Sequence, residues 1–156
     1  MTTDPMTEAV RGAIEDRARY LYMLLKEMEA ANGPAAAEAM ARRAIFKYGQ
    51  VKARAMQPMA SPMDFIAHQM RPGRQAIFAK EVAEATPERC EIRFHYCPLV
   101  QAWKGLGATP DELSRHCDIA MEGDLGMVSG APFDLHIAAS IAKGDDCCRL
   151  ILEARK

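Results

Sequence analysis

The sequence predicts an α+β domain in which an N-terminal helical hairpin and further helices pack on a small, mostly antiparallel sheet. Three observations carry that expectation. Apolar residues recur at helical spacing through most of the first 72 positions, a clean alternation of apolar and polar residues begins after Glu88, and two more alternating runs close the chain around Lys143-Gly144-Asp145-Asp146. At 156 residues there is material for one sizeable core, so positions 1–156 are expected to form a single domain, helical over 1–72 and site-bearing over 73–156.

Val10, Ile14, Tyr20, Leu21, Leu24, Leu25 and Met28 form a stripe over 7–31, a long amphipathic helix closed by Asn32-Gly33-Pro34. A second helix runs from Ala35 to about Met56, with Ala39, Ala44, Ile45, Tyr48 and Val51 or Ala55 expected on its buried side. The tight turn between them makes an antiparallel pair, a scaffold and a candidate surface for homo-oligomer formation. Gln57 to Pro62 reads as a linker, and Pro62-Met63-Asp64 opens a short helix that Pro72-Gly73 ends.

The stretch 74–86 is ambiguous, with strand kept for Ala76 to Phe78. Next, Cys90, Ile92 and Phe94 alternate with Glu91, Arg93 and His95 along a strand, which places His95 and Cys97 together on the face opposite Ile92 and Phe94. Pro98 suits the first position of a short helix holding Leu99, Val100 and Trp103, and Gly105 and Gly107 stop it. Thr109-Pro110-Asp111-Glu112 is a helix start. The helix it opens carries Leu113, Cys117, Ala120 and Met121, and is expected to break at Gly123-Asp124-Leu125-Gly126. Phe133 to Ala142 and Cys148 to Ala154 then form a β-hairpin.

Lys plus Arg number 20 against 21 Asp plus Glu, a balance that argues against nucleic acid or an anionic membrane as partner and favours a small-molecule substrate. The first twenty residues hold Asp4, Glu8, Glu15 and Asp16, so they do not read as a secretory signal, and a cytoplasmic location is expected. Five cysteines in a reducing compartment read as free thiols, ligands or a nucleophile. Cys97 is the foremost candidate nucleophile, because the orphan amides of the following helix bias its thiol toward thiolate, and His95 is the natural base beside it. His116 and His68 lie on polar helical faces and are expected to be exposed.

Three blocks, FHYCPLVQAWKGLG (Phe94 to Gly107), CDIAMEGD (Cys117 to Asp124) and IAKGDDCCRL (Ile141 to Leu150), resemble the L-2-amino-thiazoline-4-carboxylic acid hydrolases. That resemblance implies hydrolysis of a small cyclic isothiourea at a C–N or C–S bond. Such a ring needs a nucleophile, a proton for the departing atom, and an acid to hold the cationic amidine. Cys97 and His95 meet the first needs, Asp118, Asp145 or Asp146 the last, while Arg93 or Arg149 suits a substrate carboxylate and Trp103 is core or a pocket wall. No cofactor is required by that chemistry.

A fainter resemblance joins the helix bearing Cys117, the hairpin, and the closing Gly144-Asp145-x-x-Cys148 to ligand-binding domains of the vinyl-4-reductase type. It implies a zinc ion held by Cys117, His136 and Cys148, with Ser140 standing where a cysteine would be expected. The alternative function is therefore a non-catalytic domain that binds a small ligand or zinc. Either way Cys97, Cys117 and Cys148 are expected to converge on one pocket.

Overall fold

A computed structural model describes residues 3–156. Asp4 caps α1 (Pro5–Asn32) by accepting a hydrogen bond from the Thr7 amide, and Gly33 alone separates α1 from α2 (Pro34–Ala53). Its φ of 82° lies in the region where a side chain would be strained, which lets two helices abut with one residue between them. A single helical turn (Arg54–Met56) follows, and Ser61 and Asp64 box the start of α3 (Pro62–Gln69).

Two expectations are corrected after this point. The segment kept for a strand at Ala76 to Phe78 is instead the short α4 (Arg74–Ile77) and a turn; the strand, β1 (Lys80–Ala85), starts later. Its antiparallel partner β2 (Arg89–Phe94) alternates as read, and α5 (Pro98–Gly105) and α6 (Pro110–Val128) follow, the latter capped reciprocally by Thr109 and Glu112. Gly123 and Gly126 do not break α6, which runs through both. They are small because α2 crosses there: a Cβ on Gly49 would lie 2.2 Å from the Gly123 carbonyl, and one on Gly126 would lie 2.1 Å from that of Phe46.

β3 (Phe133–Ala139) and β4 (Cys148–Ala154) complete a wholly antiparallel sheet of order β1-β2-β4-β3, joined by a short helical turn (Ile141–Lys143). The fold is thus α+β, six α-helices on four strands among the described residues. The inner face of the sheet presents Cys90, Ile92, Cys148, Leu150 and Leu152 to one apolar cluster, which Phe65, Met127 and Phe133 complete. A second cluster of Ala18, Tyr22, Val100, Trp103, Leu113 and Cys117 lies between α1, α5 and α6. No described helix is long and apolar enough to cross a membrane.

The buried side of α2 also differs from expectation. Ala37, Ala41 and Gly49 are buried, whereas Ala39 and Ala44 are exposed, and Tyr48 and Val51 remain about half exposed. On α1, Tyr20 and Leu24 are exposed as well. Part of each apolar stripe therefore faces something other than core, and Tyr20, Leu24 and Tyr48 line a chamber.

Candidate functional site

Between the two apolar clusters lies a partly open chamber of about 770 Å³. Met127, Cys148 and Leu150 reach it from the sheet side, Val100, Trp103 and Cys117 from the helical side. Its volume is in the range of pockets that hold drug-sized molecules. Cys97, Cys117 and Cys148 all line it, and each thiol is raised by burial and by the other cysteines nearby. The structure therefore brings these three together.

Their local setting follows from the chain. Cys97 is the N-cap of α5, and the amides of Val100 and Leu99 do pull its thiol toward thiolate. Burial outweighs them and pushes the thiol up to about 12, so the expectation of a thiolate-biased cysteine is corrected. Cys117 lies 3.3 Å from the Ser140 hydroxyl, and Cys148 accepts a hydrogen bond from the Ile141 amide at 3.4 Å. Cys90 is packed in the core and Cys147 is half-buried next to the turn.

The remaining predicted residues lie elsewhere. β2 ends at Phe94, so the alternation that would have put His95 beside Cys97 ends with it. His95 is instead exposed on the outer side and its Nε2 lies 2.8 Å from a Glu81 carboxylate oxygen. Arg93 and Arg149 both pair with Glu91 on that outer face, at 2.9 and 2.8 Å. Asp118 pairs with Lys143 at 2.8 Å, Asp145 accepts a hydrogen bond from the Ser140 amide at 2.8 Å, and Asp146 is exposed in the turn. Trp103 is buried, donates its ring N–H to the Ala18 carbonyl, and also forms chamber wall.

The zinc set does not assemble. His136 pairs in register with Ile151 and is exposed, so it points away from the face that carries Cys148. Among the described residues no three His, Cys, Asp or Glu side chains are grouped to hold a metal ion.

Sequence reasoning missed a polar end of the chamber. Lys52, His68, Lys80 and Asp124 line it along with Gln69 and Arg74. Lys80 sits on the inner face of β1 among the rings of Phe78 and Phe94, donates to Gln69 Oε1 at 2.7 Å, and is lowered to about 8 by burial. Burial also lowers Lys52 and raises Asp124. Asp124 lines the same chamber, and its charge acts on both lysines and on the Cys148 thiol.

Both helical histidines expected to be exposed are buried. His116 is packed against the rings of Tyr22 and Trp103, with neither ring nitrogen partnered, and His68 is 6% exposed. Each lies three residues after a buried apolar residue, Leu113 or Phe65, a spacing that marks the inner face of a helix.

A family model described as L-2-amino-thiazoline-4-carboxylic acid hydrolase matches residues 13–152. No curated protein matches the chain in sequence. Among solved structures, the chain is similar to trafficking protein particle complex subunit 3 from Naegleria fowleri covalently bound to palmitic acid. The TM-score is 0.58 at 10% identity, over 90% of this chain and 96% of that one. It is also similar to the phenol-responsive sensory domain of the transcription activator PoxR with phenol, at a TM-score of 0.52 and 15% identity, over 88% of this chain and 74% of that one. At such identities these two likenesses concern the fold alone.

Proposed function

The chain belongs to the L-2-amino-thiazoline-4-carboxylic acid hydrolase family, and on that premise we propose that it opens the ring of a small cyclic amidine or isothiourea with Cys97 as nucleophile. The observation that carries this reading is the meeting of Cys97, Cys117 and Cys148 in one chamber that the half-buried Asp124 also lines. Asp124 is the acid that would bind the amidine, in place of Asp118, Asp145 or Asp146.

A thiol near 12 is protonated at neutral pH and needs a base, and His95 faces away from it. A cyclic amidine brings its own. The Cys97 proton passes to an amidine nitrogen, the sulfur attacks the carbon between the ring heteroatoms, and the resulting amidinium adds to the pull of the Val100 and Leu99 amides on the developing thiolate. The ring C–S or C–N bond breaks, and the departing atom takes the proton that Cys97 had passed to the amidine nitrogen. Water then attacks the same carbon, expels the Cys97 sulfur and returns a proton to it. No metal or redox partner enters this balance.

The test is turnover of 2-amino-thiazoline-4-carboxylate, followed by mass spectrometry for both the opened product and a Cys97 adduct. Cys97→Ala should lower turnover at least about 100-fold, the scale of a lost nucleophile, with an unchanged melting temperature. A parent that never opens the ring, or a Cys97→Ala variant as active as the parent, ends this reading.

One observation favours a second reading, a non-catalytic binding domain. The chamber is mostly apolar and far roomier than a five-membered ring requires. The two structural neighbours hold palmitic acid and phenol, so an apolar or aromatic molecule is the ligand class to test. Phenol binding that survives Cys97→Ala, in a protein without turnover, would favour it.

A further inference from the structure

We infer that the polar end of the chamber is a carboxylate subsite, built by Lys52, Lys80 and His68, that selects monoanionic organic acids with largely apolar bodies. It differs from the arrangement expected from sequence, in which Arg93 or Arg149 would take a carboxylate; both of those are committed to Glu91 on the other face of the sheet.

The donors come from three elements. Lys52 is on α2, His68 on α3 and Lys80 on β1, and all three line the same chamber. Arg74 Nη1 lies 2.8 Å from His68 Nε2, and because a guanidinium can only donate, Nε2 accepts and the ring proton is on Nδ1. That Nδ1–H is buried and has no acceptor among the described residues. A buried donor left unmatched is costly, and the ring that carries it lines the chamber.

Charge points the same way. Neither Lys52 nor Lys80 makes an ion pair among the described residues; Lys80 has only the two Gln69 oxygens and two aromatic rings, and Lys52 lies 5.3 Å from the Tyr48 ring centroid. With Asp124 ionised, the two lysines and the acid leave one positive charge in excess, the complement of a monoanion and not of a dianion. Arg74 and Arg17 also line the chamber but are exposed, so solvent screens them. The rest of the walls is apolar and would cover the body of the acid.

The subsite rests on the chamber and not on the hydrolytic reading. The probes accordingly contain no bond for a hydrolase to open: 4-phenylbutyrate and its neutral counterpart 4-phenylbutan-1-ol, titrated calorimetrically into the intact chain at pH 7. The carboxylate should bind about tenfold tighter than the alcohol, the size of a charge-assisted pair of hydrogen bonds. Lys80→Met should bring the two affinities to within about twofold while leaving the alcohol's unchanged, and Lys80→Arg should keep most of the preference. Lys52→Met, at a less buried position, gives the same reading if Lys80→Met fails to fold. Equal affinities in the parent, no binding of either probe, or a preference that survives both lysine substitutions would overturn the subsite. Ring-opening activity without any carboxylate preference would also overturn it and leave the hydrolase standing; the converse would do the opposite.

Discussion

The two faces of the sheet treat charge in opposite ways. On the outer face charged groups are paired: Glu91 takes Arg93 and Arg149, Arg89 takes Glu84 and Glu153, Asp134 takes Arg155, and His95 takes Glu81. On the inner face Lys80 and, beyond it, Lys52 and Asp124 line a chamber without an ion pair among the described residues. Paired charges hold a surface together. Desolvated charges without partners cost stability, and a chain that keeps them has placed them where a ligand could complete them.

The largest stability effect should come from Glu91. Its carboxylate is 6% exposed and is held down to about 2 by hydrogen bonds from Arg149 and Arg93. Glu91→Gln should cost about 2 kcal/mol at pH 7, because a charged acceptor of two guanidinium groups is lost. A carboxylate depressed on folding stabilises above its unfolded value near 4.5 and loses that contribution as pH falls toward 2. Urea unfolding of parent and variant should therefore converge between pH 4.5 and 2. If the gap is undiminished at pH 2.5, the outer network is not what holds this face.

The contrast sharpens when one kind of substitution is made on both faces. Arg149→Met removes one partner of Glu91 and should destabilise, by less than Glu91→Gln because the arginine is partly exposed and Arg93 remains. Lys80→Met keeps the packing against Phe78 and Phe94 while removing a desolvated charge, so it should be neutral or stabilising by up to about 1 kcal/mol. Thermal melts of the two variants decide. Matching losses would mean that the inner lysine is as structural as the outer arginine.

What could be read from the chain was local. The Asn32-Gly33-Pro34 turn, the Thr109 and Glu112 capping box and the alternation over Cys90 to Phe94 depend on neighbours within a few residues, and each stands as read. The misreadings are tertiary. Gly123 and Gly126 look like helix breakers until α2 is seen crossing them, and the stripe of α2 looks like core until part of it is found at the chamber mouth. Cys97 could be singled out because a proline follows it, whereas Lys80 and Asp124 sit in stretches whose pattern says only polar. Nothing in residue spacing says that strand, helix and hairpin turn those two toward one cavity.

The smallest predicted effect concerns the residue that sequence spacing favoured most as a base. His95 lies at the end of β2 on the outer side, about half exposed, with Glu81 as its partner. An exposed pair of this kind contributes well under about 1 kcal/mol, so His95→Ala should shift stability by less than about 0.5 kcal/mol. If the amidine supplies the base, the same variant should keep kcat within about twofold and leave the pH profile in place. If His95 swings inward to serve Cys97, kcat should fall at least about 100-fold with KM little changed. That result would transfer a charged group from the outer set to the inner one and remove the division between the two faces.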